Sequence, residues 1–574
     1  MIGAELSILV PRWLVPLADL PRLERTYSAV RAMDQHLSFC ERLLKHLRIQ
    51  CPVSEHDLAH VPRTGAAVVA ANHPFGLLDG AVLAAVLERV RPDVRLLANG
   101  VLASIPELRH RVIPVDPQGG ASGNHRVIRQ ALAHLEAGGL LIVFPAGEVA
   151  HFQWRKASVA DSTWNPAVAR IIELAARGGQ PVSILPAFVG GRNSLAFQAA
   201  GVVHPRLRTA LLGRELLNKR GHVVDLRIGS PINSARLLAL PDAGAQCAYL
   251  RGRCELLARR QPFKPLTSRP LPRIRSGHAP TIAPVTTALL RNDVARLADS
   301  QCLGRSGELA VYLAEASQIP NVLREIGRLR EVTFRLAGEG TGKPSDLDRF
   351  DGHYQHLFLW NDCAGEIAGA YRLCPASAGA SRLYTAELFG YGDAFLQRLG
   401  PAVELGRSFV RAEYQRGFAP LLLLWKGIGK FIARHPQCKT LFGPVSISNR
   451  YQAISRELMV AFLERSAWMR GWANLIAPRR PFRKRGGELP ACLDVDDLSS
   501  AVSDVEPDRA GVPVLLRQYL RLGGKLLGFQ VDPGFSNVLD GLILVDLTQT
   551  EPKLVERYLG KAEAARFFAF HQTH

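Results

Sequence analysis

From residue 66 to residue 228 the chain alternates short, unbroken apolar runs with longer stretches in which apolar positions recur at helical spacing. The runs 66–71, 94–98, 112–115, 140–144, 183–189 and 223–228 leave few polar positions for a solvent-facing side. Each therefore predicts a strand buried on both faces. The stretches 81–90, 125–137 and 166–176 predict helices between them. Strands alternating with helices predict an α/β layer, and residues 1–60, poor in turn signals, predict a mainly helical lead-in.

The pattern breaks at 261–290, where Pro262, Pro265, Pro270, Pro272, Pro280 and Pro284 accompany basic residues and no acidic one. Each proline removes a backbone donor and fixes φ, which predicts an extended connector. A length of 574 residues also exceeds what one hydrophobic core ordinarily serves. The expected organisation is a first domain over 1–260, a basic linker over 261–300 and a second domain over 301–574. In the second domain 308–314, 356–360, 366–373, 383–388, 403–410 and 440–446 read as strands, and 321–335, 421–434 and 453–465 as helices. Short polar turns between several strands favour antiparallel pairing, so the class there is α+β.

Lys and Arg number 71 against 51 Asp and Glu, a formal charge of +20. That balance favours an acidic partner: nucleic acid, an anionic membrane face or an acidic protein. Finger spacing and RNA-binding aromatic blocks are both missing, so nucleic acid is not expected. The nine cysteines occur singly, with no Cys-x-x-Cys. Neither a disulfide framework nor a metal site is expected, and free thiols in a reducing cytosol fit best. No apolar run reaches 18 residues, and the apolar start is broken by Pro11 and Pro16 without a basic leader. Neither a membrane span nor a signal peptide is therefore expected.

Candidate chemistry begins where the 66–71 run meets Asn72-His73-Pro74-Phe75-Gly76-Leu77-Leu78-Asp79-Gly80. Pro74 and Gly76 end the strand, and Asp79-Gly80 opens the next helix. His73 and Asp79 thus fall at the C-terminal end of a strand, where open α/β sheets bind ligands. A histidine backed by a carboxylate can take a proton from an alcohol. No serine or cysteine nucleophile lies beside the pair, which favours direct transfer over a covalent acyl-enzyme. A surface turn would explain two such residues alone.

The longer string resembles the signature block of the glycerolipid and lysophospholipid acyltransferase family. Leu141-Ile142-Val143-Phe144-Pro145-Ala146-Gly147-Glu148 resembles that family's substrate-binding block, and Gln180 to Pro186 its fourth block. The resemblance covers roughly 60–235. It implies a catalytic role for His73 and Asp79, and substrate contacts from Asn72, Phe144, Pro145, Gly147 and Glu148. Arg192 follows the fourth block as a contact for acceptor or donor phosphate, or as a solvated loop arginine. The family has four residues between His and Asp, whereas here there are five. The block at 112–116 lacks the family's phosphate-binding arginine, and Ala146 stands where glutamate is common, which points away from a phosphate-bearing acceptor.

In the second half, Glu366 to Leu373, Tyr384 to Glu387, Val403 to Val410 and Leu441 to Ser448 resemble the ornithine-acyltransferase family, related in fold to N-acetyltransferases. The resemblance covers about 308–550 and implies two splayed strands that hold the pantetheine arm of a donor. Arg416-Gly417-Phe418-Ala419 resembles the fold's phosphate loop, or is a turn that starts a core helix. It also implies that Glu404, Glu387 and Arg407 bind or deprotonate an amino acid, with strand ion pairs as the other reading. The two halves together resemble bifunctional ornithine-lipid synthases. That implies N-acylation of ornithine with a 3-hydroxyacyl chain, then O-acylation of the lyso-lipid hydroxyl. No cofactor would be bound, and acyl-acyl carrier protein or acyl-coenzyme A would be the co-substrate. The alternative is a single lysophospholipid O-acyltransferase with a non-catalytic second half. Trp468, Trp472 and Ile476 at helical spacing, followed by Arg479, Arg480, Arg483, Lys484 and Arg485, suggest an amphipathic face for an anionic leaflet, or a core helix with a solvated loop. The expected location is cytoplasmic, peripheral on the inner face of the cell membrane.

Overall fold

The computed structural model describes residues 19–115, 121–154, 157–203, 205–260, 279–415, 417, 419–486 and 489–572. Two compact units emerge, Met1–Lys264 with Glu488–Gly511, and Pro265–Gly487 with Val512–His574.

In the first unit the apolar runs form strands β1 (Ala67–Ala71), β2 (Val94–Asn99), β3 (Val112–Val115), β4 (Leu140–Val143), β5 (Ser183–Gly190), β6 (Asp225–Ile228) and β7 (Ile232–Asn233). The sheet order is β3-β2-β4-β1-β5-β6, with β7 beside β5. β1 is parallel to β4 and β5, and β2 to β3 and β4, while β6 and β7 run antiparallel to β5. Every residue of β1 is buried, as its unbroken apolar run requires. Helices α1 (Leu77–Leu87), α2 (Ala121–Glu136) and α3 (Ala167–Arg177) belong to this layer, preceded by helices Leu20–Arg31, Phe39–His46 and Glu55–Ala59.

The expected unbroken second domain is interrupted, because residues 488–511 fold into the first unit. The reason is a buried cation. Arg253 is 1% exposed and reaches Asp497 at 2.5 Å and Asp504 at 2.8 Å. Tyr249 donates to the same Asp497 carboxylate at 2.7 Å. Removing one partner of such a buried set costs about 3–5 kcal/mol, enough to hold a distant segment in place.

The second unit carries an eight-stranded sheet. Its strands are β8 (Cys302–Ser306), β9 (Leu309–Glu315), β10 (Gln355–Asn361), β11 (Glu366–Pro375), β12 (Ala402–Val410), β13 (Thr440–Ile447), β14 (Lys525–Asp532) and β15 (Val538–Asp546). The order is β8-β9-β10-β11-β12-β13-β15-β14. Every pair is antiparallel except β12 with β13, the one junction that needs a crossover. Helix α5 (Ala419–Arg434) supplies it, and α4 (Pro320–Ala337) packs earlier in the unit.

Three expectations change here. The linker region contains a helix, Thr287–Ala295, whose buried Asp293 accepts the free N–H groups of Asn321 (2.7 Å) and Val322 (3.0 Å) at the start of α4. Residues 261–278 lie outside the described residues. The segment 383–388 is no strand but ends in a helical turn, Thr385–Leu388. Its backbone donors are taken by side chains: Tyr384 N–H donates to Tyr354 Oη (2.9 Å) and Thr385 N–H to Glu404 (2.9 Å). Third, Trp468, Trp472 and Ile476 do not share a helical face. Met469 and Leu526 tie this segment's backbone to the edge of β14, and Ile476 sits buried in a two-stranded pairing with Phe389–Tyr391. Trp468 stacks on Phe529 at 6.0 Å.

Candidate active sites

All three sequence blocks of the first unit end at the same edge of the sheet. His73 follows β1, Phe144 follows β4, and Gly191 follows β5, at the C-terminal ends of three neighbouring parallel strands. His73 Nδ1 lies 2.9 Å from Asp79 Oδ2. Asp79 sits in the first turn of α1, fully buried, and the same oxygen accepts the N–H groups of Phe75 and Gly76, each at 2.9 Å. An anion there is stabilised by the free N–H groups of a helix start. Gly76 has φ +90°, a conformation that lets the five intervening residues turn back and still bring the pair together.

The ring of His73 stacks on Phe144 at 4.1 Å, and its backbone is held from both sides. Its N–H donates to Asp161 (3.1 Å), and its carbonyl accepts from Ala150 N–H (2.8 Å). Asp161, whose carboxyl burial pushes upward, is itself fixed by Trp164 Nε1 at 3.1 Å. With Nδ1 facing Asp79, Nε2 is the nitrogen left to meet an acceptor hydroxyl, the arrangement a general base needs.

The remaining residues divide. Asn72 spends its amide on β5, accepting from Val189 N–H (2.7 Å) and donating to Val189 O (2.8 Å), so it clamps two strands. The carbonyl of Pro145 accepts from Asn165 N–H at 2.8 Å, and Gly147 turns with φ +69°. Glu148 pairs with Arg208 at 2.8 Å and accepts from Ser162 Oγ. The side chain of Arg192 is exposed, and its carbonyl accepts from Lys219 Nζ at 3.0 Å.

In the second unit the parallel strands β12 and β13 pair at Ala402–Thr440, Val403–Leu441 and Glu404–Phe442, then part. At the fork, a Cβ on Gly443 would lie 2.1 Å from the Leu405 carbonyl, so only glycine allows the strands this close. Just beyond it Arg407 takes φ +48°, where the register with β11 shifts. Its guanidinium lies between the rings of Tyr384 (4.7 Å) and Phe535 (4.6 Å), 3.3 Å from Asp346. Glu404, 1% exposed, accepts from Tyr354 Oη (2.8 Å) and Thr385 N–H (2.9 Å). Burial pushes its carboxyl up to about 7. Glu404 and Arg407 are thus joined through Tyr354 and Tyr384. Glu387 stands apart, paired with Arg349 at 2.9 Å on a surface cavity of about 580 Å³. Gly417 is exposed before α5, and Arg416 lies outside the described residues.

Comparison with known proteins agrees with this division. A family model described as "Acyltransferase" matches residues 43–261, and one described as "Acetyltransferase (GNAT) domain" matches 329–426. Glycine N(alpha)-acyltransferase of Phocaeicola vulgatus is 31% identical over 292 residues, covering 47% of this chain and 89% of that protein. The enzyme of the same name from Bacteroides thetaiotaomicron is 32% identical over 288 residues, covering 46% of this chain and 85% of its own length. This chain is an acyltransferase of their family. Among solved structures, the 1-acyl-sn-glycerophosphate acyltransferase PlsC of Thermotoga maritima aligns at 17% identity and TM-score 0.25, over 46% of this chain and 97% of that one.

Two parts of the acyltransferase's first site escaped the sequence patterns. Asp161 acts on His73 from 88 positions away, and no spacing rule links them. The second is the glycine loop after β5. Gly191 has φ +137°, and a Cβ there would lie 2.1 Å from Phe75 Cζ. Gly191→Ala should therefore lose about 2–4 kcal/mol of stability, through strain and the forced shift of Phe75. An unchanged melting temperature would show that the loop yields without disturbing the His73 turn.

Proposed function

We propose that this acyltransferase makes an aminolipid by two successive transfers. The C-terminal unit joins a 3-hydroxyacyl chain to the amine of an amino acid, and the N-terminal unit then esterifies that chain's hydroxyl. The observation that carries the reading is the His73–Asp79 contact at the strand end, in the same chain as a splayed sheet of N-acyltransferase type. His73 would take the hydroxyl proton as oxygen attacks the thioester carbonyl, with Asp79 steadying the imidazolium, and would return that proton to the sulfur as the C–S bond breaks and the carrier leaves as its free thiol. A product hydroxyl on an acyl chain requires no phosphate-binding arginine, in keeping with the 112–116 block.

The relatives named for glycine make glycine a candidate acceptor beside ornithine. The donor would be a thioester of acyl carrier protein or coenzyme A. The net charge of +20 would speed encounter with an acidic carrier. No helix among the described residues is long and apolar enough to cross a membrane. Contact with the inner leaflet would therefore be peripheral, with the basic stretch 479–485 as its electrostatic part.

Expression in a bacterium that lacks aminolipids, followed by mass spectrometry of extracted lipid, tests this. A new diacylated amino-acid lipid is expected, and its head-group mass separates glycine from ornithine. If no aminolipid forms but lysophospholipid is acylated, the chain is a single O-acyltransferase with a non-catalytic second unit.

A further inference from the structure

Two short antiparallel strands, His151–Gln153 and Ser158–Ala160, follow the Phe144 block, with His151 opposite Ala160. The next rung outward would join Ala150 to Asp161, but the main chain of His73 occupies it. Ala150 N–H donates to the His73 carbonyl at 2.8 Å, and Asp161 Oδ1 accepts the His73 N–H at 3.1 Å. The open end of the strand pair thus grips both backbone polar groups of one residue. Asp161 is itself fixed, since Gln153 Nε2 donates to its carbonyl at 2.7 Å and to that of Ala160 at 3.1 Å.

The transfers described above give this carboxylate no task. It is 8% exposed, and its other oxygen accepts from the buried Trp164 Nε1 at 3.1 Å. Both partners are N–H groups that can only donate, so both oxygens must accept. A carboxylate satisfies that, whereas an amide would turn its NH2 toward one of the two donors. The positive charges that act on it most are those of His73, when protonated, and Arg251. Arg251 faces the main chain instead, donating to the carbonyls of Asp161 (3.3 Å) and Ser162 (3.2 Å) while pairing with Glu255 (2.7 Å). A buried anion without an ion-pair partner is costly. Here the charge that offsets it is transient: the His73 imidazolium, present while the ring holds the acceptor's hydroxyl proton and gone once that proton passes to the leaving sulfur.

We propose that Asp161 is a positioning residue for His73: it fixes the main chain so that the ring sits between Asp79 and the acceptor hydroxyl, and it supplies a second negative charge to the imidazolium. This rests on the reading that His73 is the general base of O-acyl transfer. It holds for any hydroxyl acceptor, whether an N-acyl amino acid or a lysophospholipid.

The test follows O-acylation by the full-length protein with an acyl-coenzyme A donor. Separate arms supply the N-3-hydroxyacyl derivatives of ornithine and glycine, and lysophospholipid, as acceptors. Asp161→Asn should lower kcat about 10²-fold with KM within about threefold of wild type, because a small displacement of the base costs rate rather than binding. Trp164→Phe keeps an aromatic ring in place but removes one donor to Asp161, and should lower kcat about 10-fold in the same way. It decides the matter where Asp161→Asn does not fold. In a His73→Ala background neither substitution should lower the residual rate further, since Asp161 acts through a ring that is no longer there. A kcat within about twofold of wild type in both single variants would overturn the assignment. So would a loss in the double variants as large as in the single ones, the mark of a residue that only holds the fold. If His73→Ala retains full O-acylation, or the wild type acylates none of the three acceptors, the general-base reading fails and the role of Asp161 with it.

Discussion

His73→Ala should lower O-acyl transfer about 10³-fold while the N-acyl product continues to form and accumulates. The magnitude is that of a positioned general base, typically 10²–10⁴-fold. The separation of the two activities follows from where His73 lies, in the unit of the parallel sheet, with no part in the fork between β12 and β13. Asp79→Asn is the sharper variant. One oxygen can still accept from Phe75 and Gly76, so the turn keeps its shape, but the group facing His73 Nδ1 becomes a neutral amide. The imidazolium then loses its counter-charge, for an expected loss of about 10²–10⁴-fold with little change in stability. Lyso-lipid acylation assayed on purified variants checks both. Full O-acylation by His73→Ala would remove this histidine from the chemistry.

The first unit was legible because its central strands β1, β4 and β5 are largely buried on both faces, and an unbroken apolar run has few other ways to fold; the outer β2 and β3, read the same way, are only partly buried. The turn that carries His73 was legible for a related reason: proline, glycine and an acidic residue at a helix start are local signals, and the helix start is what places Asp79 beside His73. The failures share a cause of the opposite kind. The segment 383–388 carries a strand pattern, yet its N–H groups are claimed by Tyr354 and Glu404, 30 and 19 positions away. The passage of 488–511 into the first unit depends on Arg253, whose partners lie 244 and 251 positions on. Asp161 gains its setting in the same long-range way. Periodicity reports what a residue does within its own element, whereas buried ion pairs and side-chain acceptors are set by tertiary contact. Glu404 shows both sides at once. Its strand could be read from the block around it, but its burial against Tyr354 could not.

That burial makes Glu404 a source of pH-dependent stability with a definite sign. An ordinary glutamate releases its proton near 4.5, whereas burial holds this one protonated to about 7. Below the lower value the folded and unfolded chains carry the same proton, and the contribution is fully present. Between about 4.5 and 7 the unfolded chain gives up a proton that the folded chain keeps, so stability falls by about 1.4 kcal/mol per pH unit, roughly 3 kcal/mol in all. Glu339 and Asp540, also raised by burial, act in the same direction. His356, lowered to about 4 by burial, acts against them over part of the range, so the whole protein's profile is a sum. Glu404→Gln isolates the one group, since its amide can occupy the same site beside Tyr354 and Thr385 without titrating. The melting temperature of the wild type relative to Glu404→Gln should therefore drop by roughly 3–5 °C between about pH 5 and about pH 8. An equal difference at both pH values would mean that Glu404 is ionised throughout, held by Arg372 and its two hydrogen-bond donors against the cost of burial.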